Sequence, residues 1–469
     1  MATRKTTRKS GSRKMAGSEA DGVTPSVPSA ETMGERDGGV ETTGKFIVVF
    51  KKEAVAEKGA IKSMLNDIAG LRNIPSSGDY ENGAIEAKDL ADNQAVQFDK
   101  LGILMVSSEE SMQALAASAS DIDSPIMTIE PEYIAYPSEP SAGDFPFEYL
   151  RGYKDAVNQL YDHLSARRES AGADAEILAP FQDNPQFTWG LQATRVSTSQ
   201  RNGQGIRVAI LDTGMDLQHP DFRGRAIVSE TFSGFPVQDI HGHGTHCVGT
   251  ACGPQHSASG VRRYGVAFGA QIFVGKVFNH AQPRPQAPTG NVIAGIEWAI
   301  TNGCRIVSLS LGVRINQKMM QYEEPIRRAL SAGTLVIAAA GNNANRPSNP
   351  GFVEPPANAD DSMAVAALDS QLQVARFSAR SSQVTGVGGR VNIAGPGVAV
   401  FSSVPVSQGS HAHFDGTSMA TPHVAGIAAL WSQATGETGN ALLTRLLQSA
   451  LSLGLSSADV GSGLVQAPQ

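Results

Sequence analysis

Apolar residues recur along this chain with two different periods, and the change from one texture to the other divides it. KFIVVFK (45–51) reads as a strand, and KGAIKSMLNDIAGL (58–71) as an amphipathic helix with Ile61, Met64, Leu65 and Ile68 on one face. AVQF (95–98) and GILMVSS (102–108) read as two strands joined tightly through Asp99, Lys100 and Leu101. SMQALAAS (111–118) follows as a short helix and MTIEPEYIAYP (127–137) as a last extended segment. The order β-α-β-β-α-β predicts a split βαβ, ferredoxin-like α+β module with two helices on one side of a small sheet. From Phe187 the texture changes. RVAILDTG (207–214), QIFVGKVF (271–278), RIVSLSLG (305–312) and TLVIAAAGN (334–342) are nearly continuous apolar runs, each ending in small polar residues. Such runs suit strands buried on both faces of a parallel sheet. Helical stretches at 243–253, 289–302, 321–332, 416–431 and 440–451 lie between or after them. The prediction is an α/β, doubly wound parallel sheet with its function at the C-terminal ends of the strands.

The flanking stretches complete a division into four segments. Residues 1–43 are rich in Ser, Thr, Gly and charge and read as a disordered basic tail. Residues 44–137 are the small module. Residues 138–186 form a connector in which Tyr149, Tyr153, Val157, Leu160 and Leu164 recur at helical spacing, a docking face rather than a cofactor site. Residues 187–469 are the α/β domain. A net charge of -7 argues against a molecule built to grip nucleic acid, and no apolar run is long enough to span a bilayer. No apolar h-region follows the basic N-terminus, and three cysteines (Cys247, Cys252, Cys304) are too few for a disulfide framework. The expectation is a chain made and folded in the cytoplasm, with release by a signal-independent route left open.

Candidate chemistry gathers at element ends. Ser418 opens the apolar helix of GTSMATPHVAG (416–426), beside free backbone N–H groups and the positive end of the helix dipole. Asp212 ends the strand Val208–Leu211, where a buried acid must be hydrogen-bonded. His243 opens a small-residue helix between Gly242 and Gly244, and Asn342 ends AAAGN with an amide able to donate to an oxyanion. Acid, base, nucleophile and oxyanion donor would then lie on one side of a parallel sheet. His243 would take the Ser418 proton and return it to the leaving group, with Asp212 holding the imidazole.

LDTGMDLQHPDF, HGHGTHC, SLSLG, AAAGNN and GTSMATPHVAG resemble the diagnostic blocks of the subtilisin-like (subtilase) serine proteases, in that family's order Asp, His, Ser. The resemblance covers roughly Phe187 to Ala467. It implies a serine endopeptidase acting on protein or peptide substrates through an acyl-enzyme. Asp212, His243 and Ser418 would be the triad and Asn342 the oxyanion-hole donor. Ser310, Leu311 and Gly312, with Ala340 and Gly341, would line the substrate strand and the first specificity pocket. Cys247 after HGTH resembles the proteinase K branch. The small module resembles the family's inhibitor-like propeptide, an intramolecular inhibitor and folding aid, with EPEYIAYP (130–137) as the tail that lies in the cleft. About fifty residues separate that tail from Trp189-Gly190-Leu191, so the maturation cut is left anywhere within 137–189. A separate inhibitor protein is left open as a further partner.

Rival readings are weaker. His241, His243 and His246 lack HExxH spacing, which disfavours a zinc hydrolase. Gly253–Gly265 lacks the Asn-bearing loop of the family's tight calcium site, and Asn392 stands where many members carry an acid. No metal or other cofactor is predicted, a weak calcium site being left open. His246 and His423 read as structural, Asp216, Asp221 and Asp239 as turn residues, Cys247 as a small hydrophobe, and Cys252 and Cys304 as core. The alternative from another class is a permanently inhibited domain acting as a binding protein.

Overall fold

The computed structural model describes residues 40–138 and 180–469, apart from Glu57, Ile68, Ile122, 282–283 and 383–388. The expected tail up to residue 39, the connector stripe and Ile68 lie outside the described residues. The small module contains strands β1 (Thr42–Phe50), β2 (Ala95–Phe98), β3 (Ile103–Val106) and β4 (Ile126–Pro137). They pair antiparallel in the order β4-β1-β3-β2. Strand β1 begins inside the stretch expected to be tail. The two expected helices are seen as Lys58–Asp67 and Glu109–Ala119, and two short helices not expected, Lys52–Ala56 and Ala87–Asp92, join them.

Period-2 alternation gives this sheet two buried faces. Phe46, Val48, Phe50, Leu104 and Val106 share one core with Ile61, Leu65, Met112 and Leu115 of the module's own helices. The alternate residues Ile47, Val49, Ile103 and Met105 share another with Val292, Ile296, Tyr322 and Ile326 of the α/β domain. The module is therefore docked by a full sheet face.

The α/β domain carries β5 (Arg207–Asp212), β6 (Ile227–Thr231), β7 (Gln271–Lys276), β8 (Ala287–Pro288), β9 (Ile306–Leu309), β10 (Leu311–Gly312), β11 (Leu335–Ala339), β12 (Met363–Leu368), β13 (Ile393–Pro396), β14 (Val400–Ser403) and β15 (His411–Phe414). Seven of them form a parallel sheet in the order β13-β12-β11-β9-β5-β7-β6, and β14 and β15 make a hairpin. Continuous apolar runs are explained by the two layers they meet. Val208 and Ile210 share a core with Val248, Ala251, Val424 and Ala428. Ala209 and Leu211 face the other way, with Val292 and Ile296. The helices Thr417–Thr435 and His243–Cys252 thus cover one face, and Thr289–Thr301 and Met320–Ser331 the other. This is the doubly wound arrangement the pattern predicts.

Carboxylates pin the docked module. Glu130 accepts from the backbone N–H of Met320 (2.9 Å) and Gln321 (3.0 Å) at the start of the Met320–Ser331 helix. Glu132 accepts from Gly290 N–H (2.8 Å) at the start of Thr289–Thr301, and from the Thr43 hydroxyl. In the other direction, Glu297 accepts from the N–H groups of Lys100 (3.1 Å) and Leu101 (3.3 Å) and from the Ser77 hydroxyl. Acidic side chains are favoured at helix N-termini by the dipole and the unpaired N–H groups there.

Candidate active site

Three element ends build the site. Strand β5 delivers Asp212, which is buried and accepts through Oδ1 from Thr213 N–H (2.7 Å) and from His243 Nδ1 (2.7 Å). His243 is the first residue of its helix, after the N-cap Gly242 at φ 100°. Gly244 lets that helix press on the loop after β5: a Cβ there would strike the Gly214 carbonyl oxygen, while Gly244 N–H donates to Thr213 Oγ1 (2.8 Å). Asp239 was expected to be a turn residue. It makes that turn, accepting from the N–H groups of His241 (2.9 Å) and Gly242 (2.9 Å), and is also a buried carboxylate that gathers Thr245 N–H (2.9 Å) and the hydroxyls of Thr213 (3.0 Å) and Thr245 (2.7 Å). It fixes the helix that presents His243.

Ser418 is the second residue of the Thr417–Thr435 helix. Asn342, just past β11, accepts through Oδ1 from Thr417 N–H (3.0 Å) and Thr417 Oγ1 (3.0 Å), which turns its amide nitrogen toward the cleft. Strand β4 runs into that cleft. It pairs antiparallel with β8 (Ile134 with Pro288) and with β10 (Tyr136 with Gly312, Pro137 with Leu311). Ser138 then donates its N–H to Ser310 O (3.2 Å). Its own carbonyl oxygen accepts from the Ser418 hydroxyl (2.7 Å) and from Asn342 Nδ2. Ser418 Oγ also lies 3.1 Å from Ser310 O. With the hydroxyl turned this way, His243 Nε2 is buried without a hydrogen-bond partner among the described residues.

The electrostatics follow from burial. Burial alone would neutralise the His243 imidazole, but the Asp212 carboxylate outweighs it and holds the ring well above its ordinary range. Burial pushes the Cys247 thiol up to about 11, so it stays a neutral neighbour, its Sγ 3.6 Å from Ser418 O. The same burial drives His246 down to about 3 and His423 to about 4. Both are neutral and tied to carbonyls, His246 Nε2 to Val400 (2.9 Å) and His423 Nδ1 to Met419 (2.9 Å), as the structural role expected of them requires. Lys276 is buried nearby, its ammonium on Thr213 O; burial lowers its pKa against the pull of Asp239 and Asp212.

The donors a metal could use here are engaged in other ways. Asp212, His243 and Cys247 come within metal-ligand reach of one another. The 2.7 Å Asp212–His243 contact is nonetheless a proton-sharing distance, and the thiol resists the ionisation that a ligand needs. The segment that replaces the calcium loop folds onto Asp221, which receives Ser257 Oγ (2.7 Å), Ser259 N–H (3.2 Å), Tyr264 O–H (2.7 Å) and His411 Nε2 (3.0 Å). Burial opposes ionisation of Asp221, but these donors outweigh it and hold the carboxyl well below its ordinary value. Asp221, also expected in a turn, is thus a buried carboxylate satisfied by protein donors rather than one arm of a hard-oxygen cage. Asn392 spends its Oδ1 on Ala364 N–H (2.8 Å).

The sequence profile of the subtilase family, Peptidase S8, matches residues 203–463. The chain belongs to the subtilase family. It is 35% identical over 298 residues to M-protease of Shouchella clausii (strain KSM-K16), covering 63% of this chain and 71% of that protein. It is 36% identical over 283 residues to Subtilisin Savinase of Lederbergia lenta, covering 60% of this chain and 96% of that protein. In fold it resembles fervidolysin of Fervidobacterium pennivorans, with a TM-score of 0.61 at 21% identity over 92% of this chain and 61% of that one. This subtilase is accordingly a serine endopeptidase with the family's α/β fold.

The structure brings Asn342 and Ser418 together around the Ser138 carbonyl, sets the Ser310 carbonyl beside Ser418 Oγ, and pairs Asp212 with His243. Leu311 and Gly312 pair with strand β4, and Gly341 N–H donates to Thr417 Oγ1 (3.3 Å) next to Ala340. Sequence reasoning missed two residues here. Ser138 is placed by strand register, which no local pattern encodes. Glu354, in the turn GFVEPP, is a buried carboxylate against Gly312 and Gly341; only an acid inside an otherwise apolar and proline stretch marked it.

Proposed function

We propose that this subtilase is made as a self-inhibited precursor in which Asp212, His243 and Ser418 are the catalytic groups, Asn342 is the oxyanion donor, and the enzyme cuts its own chain between Ser138 and Glu139. One observation carries the reading. The Ser138 carbonyl oxygen accepts from both the Ser418 hydroxyl (2.7 Å) and the Asn342 amide, while the residues before it pair with β10 as a substrate strand would.

The chemistry follows from those positions. The Ser418 hydroxyl rotates toward His243 Nε2, gives up its proton there, and Oγ bonds to the Ser138 carbonyl carbon. Asn342 Nδ2 meets the negative charge that grows on the oxygen, and Asp212 steadies the imidazolium. Collapse breaks the Ser138–Glu139 C–N bond, and His243 returns the proton to the leaving nitrogen. Water then attacks the ester, His243 takes a proton from it, and the proton goes back to Ser418 Oγ as the acid departs. Other peptides would follow the same course along Ser310, Leu311 and Gly312, with Ala340 and Gly341 facing the side chain before the cut.

Replacing Ser418 by Ala is the direct test. The wild-type chain should shorten to a product beginning at Glu139 and become labelled by a serine-directed sulfonyl fluoride. Ser418→Ala should stay full length. Shortening of the purified variant overturns the nucleophile, and a different new N-terminus overturns the assigned bond. A wild type that neither shortens nor labels is instead the permanently inhibited binding protein. We further propose that the chain folds in a reducing compartment, since all three cysteines are buried and unpaired. Cell fractionation that finds the precursor only outside the cytoplasm would count against this.

A further inference from the structure

We propose that Glu354 plugs the pocket for the side chain preceding the scissile bond, so that the matured enzyme cuts after small residues and rejects aromatic, long aliphatic and basic ones. The proposal rests on the reading of the cleft as the peptidase site and adds its specificity. Strand β10 and residues 340–341 are the two walls beside the substrate strand, and each presents a glycine to the other's side. A Cβ added to Gly312 would collide with Glu354 Oε2, and one added to Gly341 would lie 2.9 Å from Glu354 Cδ and 3.0 Å from Cγ. The carboxyl of Glu354 therefore occupies the slot that the two missing side chains leave open. A substrate side chain cannot enter the same space without displacing it.

The plug is held from behind. Glu354 N–H donates to Ala340 O (3.0 Å), which ties its backbone to one wall. Asn343 Nδ2 donates to Glu354 Oε1 (2.8 Å), and Asn343 is itself fixed by bonds to Phe352 O (2.8 Å) and from Phe352 N–H (2.8 Å). Glu354 is 4% exposed. The residue this enzyme presents to its own nucleophile agrees in size: Ser138 is 5% exposed, and its short hydroxyl is buried with no partner among the described residues.

Size rather than charge is the selecting property. Burial raises the Glu354 carboxyl to about 7, against the Asn343 hydrogen bond and the nearby Arg314 cation. Near neutral pH the plug is as much an acid as a carboxylate, and a guanidinium already lies within electrostatic range. A basic side chain would therefore find little free negative charge in exchange for the room it needs.

The test uses enzyme matured from the full chain, with active sites counted by phenylmethylsulfonyl fluoride and a peptide series differing only in Ala, Ser, Phe or Lys before the scissile bond. Wild type should favour Ala and Ser over Phe and Lys in kcat/KM by about tenfold or more, the scale of size discrimination in a closed pocket. Glu354→Ala should raise the Phe-to-Ala ratio by about tenfold or more. Glu354→Gln keeps the shape without the charge and should leave the wild-type order in place. A wild-type preference for Phe or Lys overturns the plug, as does an unchanged ratio in Glu354→Ala. If that variant fails to mature, the residues preceding the cuts that wild type makes in a denatured protein decide: small residues support the plug, aromatic or basic ones overturn it. Absence of both labelling and hydrolysis strikes the active-site reading itself and takes the plug with it.

Discussion

At the residue scale, the site depends on how His243 is charged. Burial favours the neutral ring and Asp212 the cation; Asp212 wins, so the folded pKa lies well above the ordinary 6.5. A general base must be neutral. The proposed self-cleavage, with the module docked, should therefore rise with pH along a limb lying above 6.5, as read from the rate of shortening on gels across a pH series. A limb at or below 6.5 would mean that Asp212 does not govern the ring. Asn342→Ala should slow turnover by about 10²–10³, the loss known for an oxyanion-hole asparagine in a subtilisin. KM should change less than kcat, since Asn342 Nδ2 already touches the neutral carbonyl but meets the charge that grows on it more strongly. The four catalytic candidates were legible in sequence because each closes or opens an apolar run. Ser138 was not: EPEYIAYP marked the tail, but which carbonyl reaches Ser418 depends on the pairing of Pro137 with Leu311, a fact of register between distant strands.

At the element scale, Asp239 shows how a helix start is turned into a catalytic mount. Its carboxylate collects donors from the first turn of the His243 helix and from Thr213 beside Asp212. Asp239→Ala leaves several buried donors unpaired. A loss of at least about 2 kcal/mol of stability is expected, from the lost cap and the unmet N–H groups together. Denaturant unfolding in a Ser418→Ala background, where self-digestion is blocked, measures it; a change below about 0.5 kcal/mol, typical of exposed sites, would reduce Asp239 to a bystander. The strands that sequence reading found are those buried on both faces, such as Val208–Leu211, where every position is apolar. It missed β6, whose Ile227–Thr231 is half exposed at the sheet edge, and the β14–β15 hairpin, whose HAHF strand alternates only weakly. MAVAAL of β12 was missed for the opposite reason: an alanine-rich apolar run carries no period that separates strand from helix.

At the scale of the whole molecule, the docked module is held through carboxylates that lose water on docking. Burial raises Glu130, Glu132 and Glu297 above the ordinary 4.5, even though backbone and side-chain donors oppose the shift in each case. A carboxyl whose pKa is higher in the docked state takes up protons on docking, so docking is strongest below the ordinary carboxylate value. It weakens as pH rises through the raised values. If Ser138–Glu139 is cut as proposed, the module stays by contacts alone: these carboxylates, the pairing of β4 with β8 and β10, its apolar face, and side-chain bonds such as those of Arg328 to Leu101 O and Phe50 O. Release should therefore be slower near pH 5 than near pH 8. The lag between shortening on gels and the onset of peptide hydrolysis isolates release from the pH dependence of His243, because the final rate normalises each trace. Glu130→Gln and Glu132→Gln together fix both side chains in the neutral form, so they should lengthen the lag at pH 8 toward its pH 5 value and flatten its pH dependence. A lag that is equal at both pH values in the wild type would show that the apolar face alone keeps the module in place.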